Sequence, residues 1–524
     1  MARANPTSSP PDRLGTVFYT SVALCALFVV WATVFTDSLD TATKAALYWI
    51  TGSFGWVYLV ASLAMLGFLA VLAFSRFGRI RLGADSDRPE FSTVSWLAMI
   101  LAAVMGIGLV SYGVSEPITH FVAPPHGLAE PGTKHAAAVA MQYSFFDWGL
   151  HAWAIFAVFG IALGYSTHRK GRKGLISPML RPLLGDRVEG PVGKAIDVLA
   201  IFATLFGTTT SLGLGAMQIN GGLARVFGAS GGTGTQIAII AVVTLLFTIS
   251  AITGLHKGIR FLSETSMGLT VVLFGFVLVL GPTGFVFNLL VESLGLYVGD
   301  FIPMSLRTGT FGELEWMQSW TYFMLAWWIS WGAFVGVFLA RISKGRTIRE
   351  FVLAVLGVPS AVFFLWFTAF GGSAIFHDSF NGGHIAQDAA ADTNNAIFAM
   401  LETLPWPTVT SVIAMALVLL FFVSGADANT FVLSMLSSDG APRPRTSVLA
   451  LWGALTGVTA IVLLVSGGLD ALQNTVIVTA APFVLVMLAL AVSLWRELQH
   501  DPLFAAEVEP DPEPVAIGAK GPEM

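Results

Sequence analysis

At 524 residues, 55% apolar and only 11% charged, with a mean hydropathy of +0.75, the chain is too poor in charge to coat a soluble fold, whose residues are about a quarter charged. The formal net charge of −5 says little by itself and gives no reason to expect nucleic acid as a partner, and the single cysteine, Cys25, excludes an internal disulfide and a cysteine-built metal site. What remains is an all-α integral membrane protein.

The first residues, Met1 to Arg13, are polar and Pro-rich. A membrane span takes about 20 apolar residues, and twelve stretches qualify: 16–36, 50–75, 94–114, 137–165, 195–222, 236–255, 265–290, 318–341, 351–376, 408–437, 447–466 and 472–496. The first lacks a small-residue cleavage site and reads as a retained span. With the N-terminus cytoplasmic, all Lys and Arg except Lys44, Lys134, Arg225 and Arg307 fall in cytoplasmic segments. That satisfies the positive-inside rule with both termini inside. Segment 291–317 is too short and mixed to span and suits an interfacial helix. The tail, 497–524, is acidic and Pro-rich and reads as disordered.

Several spans depart from plain apolar filling. In the third, Gly106, Gly108 and Gly113 lie within eight positions, and Glu116-Pro117 is expected to end the helix. Broken backbone at membrane depth is tolerated where it lines a cavity or is buried in protein, although small residues also serve close helix packing. The fourth span carries Asp147, Trp148, Trp153 and Phe156, the last two on one face. In the fifth, Thr204 and Thr208 lie one turn apart, placed either to ligate a hard cation or to bond back to their own helix. The eighth holds Trp320, Trp327, Trp328 and Trp331 within twelve positions. A packed helix interface is one reading of this run. The other is a cation site, since indole faces are the best side-chain partners for a cation that cannot donate hydrogen bonds. Trp320, at the outer end, reads as interfacial. The tenth span is expected to be interrupted at Ser424-Gly425, just before the intramembrane carboxylate Asp427. Of the nine His only His151 lies deep in a span, and His120, His126 and His135 read as solvated loop residues. No convergent catalytic set is visible, so an enzyme is not expected.

The runs MGIGLVSYGVSEP (105–117), DWGLHAWAIF (147–156), FGTTTSLGLGAMQI (206–219), WTYFMLAWWISWGAFVGVFLARISKGRTIREF (320–351), SGADANTFVLSMLSS (424–438) and GGLDALQNTVIVTAAPF (467–483) resemble the betaine/choline/carnitine transporter family. The resemblance implies a leucine-transporter-like fold of two inverted five-helix repeats plus two peripheral helices. The tail would be 1–15, the peripheral helices 16–93, the first repeat 94–290, the interfacial segment 291–317, the second repeat 318–496, and the acidic tail 497–524. It implies an aromatic box of Trp148, Trp153 and Trp328. Phe156 stands where the family has Tyr, and Leu325 where it often has Trp. Trp327 and Trp331 would flank the permeation path, with Met105 and Asp147 among the substrate contacts. Asp147 stands where many relatives have His, and a structural carboxylate bonded to a neighbouring helix is the other reading of it.

The resemblance also implies two Na⁺ sites, one from Thr204, Thr208 and the ring of Phe334, the other from the carbonyls of Ala102 and Met105 with Phe421 and Ser424. Gly425, where Na⁺-coupled glycine betaine carriers have Ser, removes a hydroxyl from the second. The expected protein is a Na⁺-coupled importer of a quaternary ammonium or related onium compound in the cytoplasmic membrane. It would form a homotrimer and need no cofactor beyond the coupling ion. Choline, carnitine and dimethylsulfoniopropionate, or ion-independent exchange, are the alternatives. Osmosensing relatives carry a long basic tail; the short acidic one here predicts uptake not strongly activated by hyperosmotic shock.

Overall fold

The protein is described from a computed structural model covering residues 14–104, 106–253 and 256–505. Met105 and most of both expected tails lie outside the described residues. Among the described residues every regular element is helical, apart from one isolated bridge between Arg81 and Thr347. In chain order the main helices are α1 (Thr16–Val34), α2 (Thr36–Phe74), α3 (Thr93–Val104), α4 (Ile107–Val122), α5 (Lys134–Trp148), α6 (Leu150–Gly164), α7 (Pro191–Phe227) and α8 (Thr233–Thr253). There follow α9 (His256–Leu280), α10 (Thr283–Gly299), α11 (Leu314–Ser319), α12 (Thr321–Ile342), α13 (Ile348–Phe380), α14 (Pro407–Ser437) and α15 (Thr446–Gln499).

Among the described residues ten helical stretches are long and apolar enough to cross a membrane, and eleven if α3 and α4, bent by 67° at their junction, are one broken span. The expected twelve is reached only by dividing α15. Its 54 residues change direction at Gly467 and Gly468, the latter at φ +60°, a conformation glycine adopts without steric cost. An unbroken helix of that length would measure about 80 Å, far more than the roughly 30 Å of a hydrocarbon core.

Other boundaries differ from the expectations. Glu116-Pro117 does not end the third span: α4 runs through both to Val122. Pro117 costs one backbone hydrogen bond, which packed neighbours tolerate at membrane depth, and Gly371 of α13 lies directly against its ring. Nor is the tenth span interrupted. α14 passes through Ser424 and Gly425 without a break, because Ser424 Oγ bonds back to Leu420 O at 2.9 Å and one helical glycine costs only about 1 kcal/mol. The true second break of the first half is at Gly149, between α5 and α6 (φ −98°, ψ −134°). A Cβ there would lie 2.3 Å from Phe145 O and 2.6 Å from the Phe364 ring. The helix expected within 291–317 starts at Thr283, after Gly281-Pro282. The residues just after 497 stay packed, with Asp501 fully buried.

The centre of the bundle is built by α12, which packs on α6, α7 and α15, while α13 covers α4, α5 and α6. The apolar part of α1 is only 22% buried, against 94% for that of Lys134–Arg169, so α1 lies at the edge of the bundle. Arg169, at the end of the span that begins with α5, ties three segments together. Its Nε and Nη2 donate to Asp501 at 2.6 and 2.5 Å, and its Nη1 donates to Asp85 at 2.7 Å and to Gly83 O at 2.8 Å. Removing one partner of a buried pair strands the other charge, at a cost of about 3–5 kcal/mol. Arg169→Ala is therefore expected to lower the melting temperature of the purified protein by several degrees, and Asp501→Asn by less; a thermal unfolding series checks both.

Candidate functional site

The break at Gly149 starts the site. It leaves carbonyls at the end of α5 without intrahelical partners, and Asp147 O is taken by Trp328 Nε1 of α12 at 2.7 Å. Trp327 Nε1 donates to Gly207 O of α7 at 3.2 Å. Trp148 Nε1 donates to Glu116 Oε2 at 2.7 Å. Each of the three indole N–H groups is thus spent on a fixed acceptor, which leaves the ring faces as what these side chains can offer.

Those rings form one cluster. Trp148 meets Trp328 edge-on at 5.0 Å and Trp327 at 6.2 Å, and Trp327 stacks on Trp328 at 5.3 Å. Phe156 closes on Trp328 at 5.9 Å and on Trp153 at 5.7 Å. Trp331 continues the row from Trp327 at 6.2 Å towards Phe334 at 5.6 Å. The structure therefore brings together Trp148, Trp153, Phe156, Trp327, Trp328 and Trp331. Sequence reasoning missed Tyr112 of α4, 5.7 Å from Trp148 and 6.0 Å from Trp327. It also missed Phe363 and Phe367 of α13, which back Trp148 at 5.7 and 5.0 Å. Their apolar spacing in the ninth span looks like any buried helix. Gly108 lies in this cluster, where a Cβ would sit 2.5 Å from Trp148 Cη2 and 3.1 Å from Trp327 Cη2.

One expectation outside the box is corrected. Trp320 is half-buried at the α11–α12 junction, 4.6 Å from the ring of His120 and 6.2 Å from Tyr112. His120 is not a solvated loop residue but fully buried in α4. Asp147 is also buried, and its carboxylate lies with Glu116 and His120, their ligand atoms all within 4.8 Å of one another.

The two expected Na⁺ sets fare differently. Thr208 Oγ1 bonds back to Thr204 O at 2.9 Å, the ordinary helical habit. Thr204 Oγ1, however, is buried without a hydrogen-bond partner, and so is Oδ1 of Asn429, whose Nδ2 reaches Thr204 O at 3.5 Å. Orphaned buried oxygens of this kind fit a hard cation, and Asn429 was not foreseen. Phe334 is buried one turn beyond Trp331, which abuts Gly207 beside Thr208. In the second set Ala102 is exposed, Met105 lies outside the described residues, and Ser424 spends its hydroxyl within α14. Ala102 lies in the last turn of α3, where backbone carbonyls lack intrahelical partners.

Spans broken beside a buried cluster of rings, in a chain built almost wholly of membrane-crossing helices, make a multi-pass membrane transporter. Residues 16–503 match the family model described as BCCT, betaine/carnitine/choline family transporter. The chain belongs to that family, whose members are transporters and not enzymes. It is 45% identical to the glycine betaine transporter OpuD of Bacillus subtilis, over 93% of this chain and 95% of that one. It is 40% identical to the betaine/ectoine transporter LcoP of Corynebacterium glutamicum, over 93% and 78%. To the high-affinity choline transport protein of Escherichia coli it is 37% identical, over 96% and 74%.

Proposed function

We propose that this chain imports an onium compound of the glycine betaine type, coupled to inward Na⁺, by alternating access across a cell membrane with both termini cytoplasmic. The observation that carries the reading is the ring cluster of Trp148, Trp327 and Trp328, with every indole N–H turned into a protein acceptor. A trimethylammonium head has no N–H to donate, so only ring faces can hold it, each worth about 2 kcal/mol or more when desolvated. Phe156 keeps this property without the hydroxyl of the family's Tyr.

The Na⁺ coupling rests on Thr204, Thr208 and Phe334, with Asn429 added. Each Na⁺ moving inward gains about 2.3 kcal/mol per 100 mV of membrane potential. The second Na⁺ set, the carbonyls of Ala102 and Met105 with Phe421 and Ser424, belongs to the same reading, with Ser424 bonded back within α14 as Thr208 is within α7. A homotrimer is part of the same reading. The exposed apolar faces at Val271, Val272, Val291 and Val298 on α9 and α10 are available to lipid or to a second copy.

Uptake of radiolabelled betaine into proteoliposomes tests the proposal. Saturable uptake that rises with inward Na⁺ and falls at least tenfold in Thr208→Ala is expected. Saturable uptake indifferent to Na⁺ would remove the coupling, and a linear, unsaturable flux would replace the carrier by a channel. Titration with betaine, choline, carnitine and dimethylsulfoniopropionate ranks the substrates.

A further inference from the structure

The aromatic box has a second buried cluster on its Pro117 side, which onium recognition does not use. Glu116 and His120 come from α4 and Asp147 from α5, and all three are at most 1% exposed. The two acids come from helices that pack against each other, so their closeness is set by the fold and not by a flexible loop. Glu116 Oε2 is held by the indole N–H of Trp148. Among the described residues no donor meets hydrogen-bond geometry at its Oε1, nor at Oδ1 or Oδ2 of Asp147. Among the described residues no Lys or Arg pairs with either acid, and His120 Nε2 lies 3.9 Å from Glu116 Oε1.

Two desolvated carboxylates this close, with three oxygens unpaired, repel one another and forfeit their hydration. The arrangement is stable when a positive charge lies between them. One ligand atom from each of Glu116, His120 and Asp147 lies within 4.8 Å of the other two. Three atoms so spaced leave a point no more than about 2.8 Å from any of them, close to the 2.3–2.6 Å at which oxygens surround a hard cation of the size of Ca²⁺. A trimethylammonium head is too wide to enter such a triangle.

We propose that Glu116, Asp147 and His120 form a binding site for a small hard cation, Na⁺ in the first instance, separate from the Thr204–Thr208 position. Trp148 links it to the box: its N–H holds Glu116 while its ring packs on Trp327 and Trp328. Cation occupancy fixes Glu116 and with it the Trp148 ring. The inference rests on the aromatic cluster only through that hydrogen bond and does not need the substrate to be betaine.

Trp148 also supplies the readout. The test is a Na⁺ titration of intrinsic tryptophan fluorescence on the purified full chain without substrate, at ionic strength held constant with K⁺. The expected result is a saturable response in the parent protein that persists in Thr208→Ala. It weakens at least tenfold in Asp147→Asn and returns in Asp147→Glu. Glu116→Gln is the substitute if Asp147→Asn does not fold by gel filtration and circular dichroism. An Asp147→Asn titration indistinguishable from the parent's overturns the proposal, as does a parent protein with no Na⁺ response. So does an unchanged Na⁺ response with weakened choline binding, since the carboxylate then meets the substrate and not an ion. Loss of the response in Thr208→Ala alone likewise overturns this site while leaving the Na⁺-coupled carrier standing.

Discussion

Replacing Trp328 by leucine is expected to weaken binding of glycine betaine about thirtyfold or more while the protein stays folded. Trp328 joins three rings of the cluster: Trp148 meets it edge-on, Trp327 stacks on it, and Phe156 meets it edge-on. Losing one desolvated ring–cation contact removes about 2 kcal/mol, and each 1.4 kcal/mol is tenfold in affinity. Leucine keeps apolar bulk but has no quadrupole, so the loss reports the ring face and not simple burial. The variant also frees Asp147 O, which Trp328 Nε1 caps. Trp328→Phe separates the two contributions, for it lacks the N–H as well but keeps a ring. Isothermal titration of the two variants is expected to place phenylalanine between tryptophan and leucine. Equal affinity in the leucine variant and the parent would falsify the aromatic box as the onium site.

How much of this was legible in the sequence depends on the kind of signal. Trp328 and Trp148 stood out because tryptophan is a costly filler at membrane depth, where each N–H needs an acceptor. The two acceptors, Asp147 O and Glu116 Oε2, could not be foreseen, since each comes from packing against a different helix. Hydropathy located the spans well but not their breaks. Ser424-Gly425 looked like an interruption and is continuous helix, whereas Gly149, a single glycine among apolar residues, is where the fourth span actually breaks. The difference is tertiary: Gly149 sits against Phe145 O and the Phe364 ring, while a Cβ on Gly425 would meet nothing within 4 Å. Local composition carries no record of that. His120 failed for the same reason: it was assigned to a solvated loop from its position near a span end, yet it is fully buried and packs on Trp320. Asp147 was visible as an oddity, but its partners Glu116 and His120 lie on another helix and became apparent only in three dimensions.

Gly108 bears most directly on whether the cluster must open for substrate. Gly108→Val is expected to cut uptake at subsaturating substrate at least tenfold, with protein levels close to those of the parent. The first added carbon would already lie 2.5 Å from Trp148 Cη2, 3.0 Å from Trp148 Cζ3 and 3.1 Å from Trp327 Cη2. Neither ring can withdraw freely. Trp148 is held by Glu116 and backed by Phe363 and Phe367. Trp327 is held by Gly207 O and stacked between Phe323 and Trp328. Overpacking a tight interior costs about 1–3 kcal/mol, and here the strain falls on the two rings that would face the onium group, so binding suffers before the fold does. Gly275→Val is the matched control. It puts the same side chain on a helical glycine, but in α9, where a Cβ meets nothing within 4 Å, and its uptake is expected to equal the parent's. If Gly108→Val transports normally while both proteins reach the membrane, the rings have room to part, and the closeness of Trp148 and Trp327 does not limit substrate entry.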